Sequence, residues 1–262
     1  MRPMKVGYYK HHEGSGNFGD ELGPVVAEAM LGRPIEATSS LSDKFLSTIG
    51  SVCHNIGPGC HIWGSGIMKY ELRTADFTVH AVRGPQTEAF LRGVARVMPD
   101  PVAWGDPALL LPDFYQPAIR SELSAKTGFV PHWTWWDKYW SQAEELEIFY
   151  NLHLINPTES WQSVVDQIAS CHRIISSSLQ GLIVADAYGI PNLWLNTELQ
   201  GHVPELKFAD YFESISRPMN SVSELEAAAE AETDRYWSEG AQALDLQPLR
   251  DSFPHHLFPE EA

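Results

Sequence analysis

The chain has 262 residues, 44% of them hydrophobic, with 9 tryptophans, 3 cysteines and a formal net charge of −16. That length and apolar content suit one large domain or two small ones with a real core, and confine disorder to the ends. The acidic balance, with no long basic run, argues against a nucleic-acid partner and against electrostatic docking on anionic lipid. A few local arginines can still dominate at close range and hold a small anion.

The N-terminus carries no apolar stretch of signal-peptide length, and nowhere do about 18 apolar residues run uninterrupted. The expectation is a cytoplasmic protein with no transmembrane segment. Cys53, Cys60 and Cys171 are odd in number and form no disulfide framework, which agrees with a reducing compartment.

In chain order, Lys5 to Tyr9 reads as a first strand and His11 to Gly19 as a glycine-rich loop. Asn17-Phe18-Gly19-Asp20 leads into a helix over Glu21 to Leu31, with Leu22, Val25, Val26 and Ala29 on one side and acidic residues complementing the dipole of its first turn. Asn17 and Asp20 are either turn and capping residues or a substrate loop at the mouth of the first strand. Lys44 to Gly50 reads as a helix end and Gly57-Pro58-Gly59 as a turn. His61 to Trp63 reads as a strand that feeds Gly64-Ser65-Gly66, a loop through which a ligand can approach the backbone. Cys53-His54 and Cys60-His61 fit no standard zinc spacing, so no metal is expected. Thr78 to Val82 is a strand ending at Arg83, and Glu88 to Arg92 a helix. An arginine at the end of a buried strand is either paired with an acid or holds an anionic ligand. Asp100 and Asp106 each precede proline, so both are extended or in turns.

Residues 112–127, polar and marked by Pro112 and Pro117, read as a linker between an N-terminal α/β half (1–115) and a C-terminal α/β half (125–262). Gly128 to Val130 opens the second series of strands and is followed by Pro131-His132-Trp133. His132 is either a hydrogen-bonded loop histidine or a site residue. Trp133, Trp135, Trp136, Tyr139 and Trp140 are either a platform for sugar faces or packing between halves. His153 to Asn156 is a strand. Trp161, Val164, Val165, Ile168 and Ala169 recur at helical spacing and mark a core stripe.

Arg173 to Ile175, the polar Ser176-Ser177-Ser178 and an apolar helix over Leu179 to Tyr188 form the central unit. Gly189 and Pro191 stop the helix, and Asn192 to Leu195 begins the next strand. This is a unit of a parallel sheet, and its polar turn is where α/β proteins bind anions, because free N–H groups and the helix dipole point there. Phe208 to Ile215 is expected to turn toward the first half. Ser221 to Trp237 reads as a helix with a solvated glutamate face, and His255-His256 as exposed.

Four motifs, NFGDELGP, VRGPQT, GDPALLLP and the 169–192 stretch ending in YGIPN, together resemble the polysaccharide pyruvyl transferase family, most of all its bacterial exopolysaccharide branch. The resemblance runs discontinuously from Gly16 to Trp194. It implies an α/β fold of two Rossmann-like halves facing a cleft, GT-B-like, and transfer of a pyruvyl group from phosphoenolpyruvate to a saccharide, forming a ketal as phosphate leaves. Phosphoenolpyruvate is then the co-substrate, with no further cofactor and no metal. The acceptor is a saccharide, lipid-linked ones included, met in the cytoplasm or at the inner face of the membrane. Asn17, Gly19, Gly64, Ser65, Gly66, Arg83, Ser176, Ser177 and Ser178 would bind the donor, and Trp133, Trp135 and Trp136 the acceptor. Asp20, Asp106 and His132 would be candidates for proton transfer, without individual roles.

Two positions depart from the family pattern. Ser178 stands where a basic residue is frequent, and Gln180 stands where the family has a catalytic histidine. Glutamine hydrogen-bonds but takes no proton near neutral pH, so impaired turnover is an expectation. The chain is then a variant altered at this position, a member that uses another acid, or a binder without turnover. Two other classes compete: a sugar-nucleotide glycosyltransferase on the same fold, and a non-catalytic saccharide-binding protein.

Overall fold

Short apolar runs separated by polar turns and helices make parallel strands, because each crossover helix needs a sheet face to bury its own apolar stripe. In the computed structural model, which describes residues 4–9, 16–40, 43–196, 205–230, 237–238 and 244–259, the strands form two parallel sheets. The first contains β1 (Lys5–Gly7), β2 (Ala37–Thr38), β3 (Phe45–Ser47), β4 (Cys60–Trp63), β5 (Phe77–Val82) and β6 (Ala103–Trp104), in the order β2-β1-β3-β4-β5-β6. The second contains β7 (Thr127–Val130), β8 (Leu152–Leu154), β9 (Arg173–Ser176), β10 (Asn192–Leu195) and β11 (Ser221–Val222), in the order β11-β10-β9-β7-β8. The helices are α1 (Phe18–Leu31), α2 (Pro85–Arg92), α3 (Trp136–Trp140), α4 (Ala143–Tyr150), α5 (Trp161–Ser170), α6 (Leu179–Ala187), α7 (Leu206–Ser214), α8 (Leu225–Ala229) and α9 (Gln247–Asp251).

Both sheets repeat one winding: the second strand lies on one side of the first, and the later strands run off on the other. Each sheet therefore has a switch point, between β1 and β3 and between β7 and β9. At such points the connections diverge and leave a crevice at the carboxyl ends of the strands. The two crevices meet in one cleft.

The halves are joined by more than a linker. One apolar cluster runs from Val6, Leu22 and Leu46 in the first half to Val130, Ile168 and Leu182 in the second. A 3₁₀ segment, Pro107–Asp113, lies between α1 and α6 with Leu109, Leu110 and Leu111 buried. The C-terminal segment returns to the first sheet, where the Trp63 indole donates to the Leu249 carbonyl at 2.9 Å and stacks edge-on against Phe253.

Three expectations change here. Lys44 to Gly50 is no helix end: Phe45–Ser47 is a buried inner strand, paired to β1 on one side and β4 on the other. Helix α1 starts at Phe18, with Asn17 as its cap. The helix expected over Ser221 to Trp237 is a short strand followed by the five-residue α8, and residues 231–236 of it lie outside the described residues. No helix among the described residues is long and apolar enough to cross a membrane.

Candidate active site

The cleft holds a cavity of about 390 Å³, within the range of small-ligand sites. From the first half, Tyr9 follows β1, Ile49 to Val52 follow β3, and Asn17, Gly19 and Asp20 stand at the start of α1. From the second half, His132 and Trp133 follow β7, and Ser178, Leu179 and Gln180 open α6. Lys207, on α7, completes the wall.

The two helix starts touch. A Cβ on Gly19 would stand 2.7 Å from Gln180 Cγ, so only glycine lets α1 approach α6 this closely. Asn17 shapes the α1 start. Its Oδ1 accepts from the Gly19 N–H at 3.3 Å, and its Nδ2 donates to Asp20 Oδ2 at 2.9 Å. Asn17 is thus both a cap and a cleft residue. Ser178 caps α6 without a side-chain hydrogen bond, which leaves the first N–H groups of that helix to the cleft.

The charged groups sort by burial. Burial raises the Asp20 carboxyl to about 7, against the Asn17 hydrogen bond and the Lys207 charge, which favour the anion. Burial also lowers Lys207 to about 8; the Arg83 charge pushes the same way and Asp20 opposes it. Among the described residues no carboxylate lies within ion-pair distance of Lys207. His132 is held down to about 4, by burial first and by Lys207 second, and stays neutral at physiological pH. Its Nδ1 is 2.8 Å from Thr134 Oγ1. His54, on the cavity wall, has a buried Nδ1 with no partner among the described residues.

Asp106 lies behind the wall. Its Oδ1 accepts from the Ala108 N–H at 3.0 Å and from Gln180 Nε2 at 3.3 Å, while Oδ2 is buried without a partner among the described residues. Burial raises this carboxyl to about 6. Asp106 therefore orients Gln180 and does not face the cavity.

The structure brings together Asn17, Gly19, Asp20, Arg83, His132, Trp133, Ser178 and Gln180. The other expected site residues have structural work instead. Gly64, Ser65 and Gly66 are buried. A Cβ at Gly64 would strike the Pro107 ring, and one at Gly66 the Arg83 guanidinium. Ser65 Oγ pairs with Ser47 Oγ at 2.6 Å. The close backbone approach at this loop is thus made by the protein itself. Ser176 Oγ ties Val130 and Ser178 together, and Ser177 Oγ accepts the His132 N–H at 2.9 Å. Trp136 stacks on Trp140 at 5.3 Å, and Trp135 packs on the core of the second half, so of the three tryptophans only Trp133 lines the cavity.

Arg83, at the cavity wall, is paired with an acid. Arg83 Nε donates to Asp210 Oδ2 at 2.9 Å, and its other nitrogens reach Ser51 Oγ and the Ile67 carbonyl. Asp210 also accepts from the Thr87 N–H at 2.8 Å and the Thr87 hydroxyl at 2.7 Å. This cluster ties the end of β5 to α7, and so fixes the helix that carries Lys207. Sequence reasoning missed Lys207, His54 and Tyr9. No local pattern marks them, since their meaning comes from loops that meet only in the folded chain.

A family model described as "Polysaccharide pyruvyl transferase" matches residues 48–198, more than half of the chain. Succinoglycan biosynthesis protein ExoV of Rhizobium meliloti (strain 1021) is 25% identical over 264 aligned residues, covering 94% of this chain and 76% of that protein. Uncharacterized protein L143 of Acanthamoeba polyphaga mimivirus is 25% identical over 206 residues, covering 74% of this chain and 69% of that protein. Among solved structures, the ADP-heptose lps heptosyltransferase II of E. coli aligns over 74% of this chain and 85% of its own, at 11% identity and a TM-score of 0.31, a likeness too weak to carry an argument.

Proposed function

The chain belongs to the polysaccharide pyruvyl transferase family, and on that premise we propose that it transfers a pyruvyl group from phosphoenolpyruvate to a saccharide, forming a pyruvate ketal in exopolysaccharide or cell-surface glycan synthesis. The observation that carries the reading is the convergence, in one cavity, of the uncapped α6 N-terminus and the desolvated Lys207 ammonium. The donor presents a phosphate and a carboxylate, and helix N–H groups with a lysine are what such anions need. Arg83 adds a buried positive charge at the cavity wall, part-neutralised by Asp210. Trp133 and Tyr9 offer rings on the cavity wall for an acceptor sugar. Gln180 keeps a hydrogen-bonding edge at the donor site without a titrating proton.

The test is thermal unfolding of this chain and of Gln180→His with phosphoenolpyruvate, with a nucleotide diphosphate as comparison. A ligand at about 100 times its dissociation constant adds about 2.7 kcal/mol. Stabilisation by phosphoenolpyruvate and not by nucleotide supports the reading, and phosphate release with oligosaccharides then asks whether histidine raises turnover. Stabilisation by nucleotide alone refutes it.

A further inference from the structure

Pyruvyl transfer needs a proton on the methylene carbon of the donor, and glutamine at 180 has none to give near neutral pH. Lys207 also lines the cavity with its ammonium, which the proposed function commits to the donor's anions; Asp106, His132 and Asp20 remain to be weighed. Asp106 is buried behind Gln180 and committed to it. His132 is neutral above about pH 4, so it lacks the acidic imidazolium proton that a general acid would give. With Lys207 engaged by the donor's anions, Asp20 is the group that combines position and proton. It lines the cavity beside the point where α1 meets Gln180. Its Oδ2 is held by Asn17 at 2.9 Å, while Oδ1 has no hydrogen bond among the described residues.

We infer that Asp20 is the general acid of this chain, standing in for the absent histidine, and that donor binding loads it with its proton. The inference rests on the proposed function. Glu21 on the same helix disfavours the Asp20 anion and Lys207 on α7 favours it; Tyr9, His54, Arg83 and His132 are the other ionisable groups on the wall. A bound phosphate and carboxylate would engage Lys207 and add negative charge beside Asp20, and both changes favour its neutral form.

The step balances without oxidant or reductant. The Asp20 proton goes to C3 of phosphoenolpyruvate, the C2–C3 double bond supplying the electron pair, and positive charge develops at C2. An acceptor hydroxyl oxygen bonds to C2, and its proton returns to Asp20. The C2–O bond to phosphate then breaks and a second hydroxyl oxygen takes its place. That hydroxyl's proton leaves with the phosphate.

Calorimetric titration of phosphoenolpyruvate into the full chain at pH 7.5, in two buffers of different ionisation heat, counts protons taken up on binding. Wild type is expected to take up about half a proton more than Asp20→Asn, and Asp20→Glu to keep the uptake. In heavy water, deuterium enters C3 of phosphoenolpyruvate in the wild type at a rate that Asp20→Asn lowers by about 100-fold or more. Equal uptake or equal exchange in wild type and Asp20→Asn, with phosphoenolpyruvate bound by both, overturns the role of Asp20 and leaves the donor assignment standing. Binding by neither protein overturns both.

Discussion

Asp210→Ala removes the only carboxylate within ion-pair distance of Arg83 among the described residues, where both side chains are fully buried. Three hydrogen bonds vanish: the one from Arg83 Nε at 2.9 Å, and those from the Thr87 N–H and hydroxyl at 2.8 and 2.7 Å. A guanidinium is left buried with only Ser51 and the Ile67 carbonyl for company. Breaking a buried pair from one side costs about 3–5 kcal/mol, because the surviving charge is uncompensated. For a chain of this size that lowers the melting temperature by about 6–20 °C. Urea unfolding is the assay, with the loss read as a shift in midpoint at constant slope. The double variant Arg83→Met with Asp210→Leu removes both charges, and is expected to lose clearly less than the two single changes summed. A loss below about 1 kcal/mol for Asp210→Ala, or full additivity in the double variant, refutes the view that this pair is a desolvated strut. The variant also frees α7, so phosphoenolpyruvate affinity should fall with stability.

Gly19→Ala places a methyl group 2.7 Å from Gln180 Cγ; a loss of about 1–3 kcal/mol in denaturant unfolding is expected, and Gln180→Ala in the same chain should recover most of it. Lys207→Met keeps the bulk of the side chain and removes its charge, so phosphoenolpyruvate affinity should fall at least about tenfold, with melting temperature in the absence of ligand unchanged or raised at neutral pH. Asp20 binds its proton up to about pH 7 in the folded chain against 3.8 ordinarily, so the native state is penalised as pH rises through that window. Asp20→Asn should therefore match wild-type stability near pH 3.5 and exceed it by about 1–4 kcal/mol at pH 8; a difference independent of pH would contradict the buried setting of this carboxyl.

The common winding of the two sheets explains why the site gathers where it does. Each sheet contributes loops from its own switch point, and the shared core holds the two crevices face to face. The Arg83–Asp210 pair and the 3₁₀ segment Pro107–Asp113 brace the cleft from behind. The motifs legible in the sequence supply much of this bracing: VRGPQT contributes Arg83 and Thr87, and GDPALLLP contributes Asp106 and the buried leucines beneath α1 and α6.

Local chemistry was readable because neighbours in the chain carry it. The periodic stripe of α5, the Asn17 cap and the polar turn opening α6 depend on residues a few positions apart, and all three stand in the fold. Strand β3 was not readable. Its three residues are too few to show alternation, and they are a strand because β1 and β4 bond to them on both sides. The roles of Gly64 to Gly66 and of Trp135 and Trp136 were equally hidden. A glycine that admits a ligand and one that admits an arginine look the same until the neighbour is known.

The α/β class, the strand–turn–helix unit at the centre and several of the residues that line the cleft are legible along the chain. These follow from spacing, capping and apolar content. That Arg83 meets Asp210, 127 positions away, that Gln180 leans on Gly19, and that Lys207 enters the same cavity emerges from the folded chain. Burial and charge compensation are properties of distant segments brought together, and one segment's sequence does not contain its partner's.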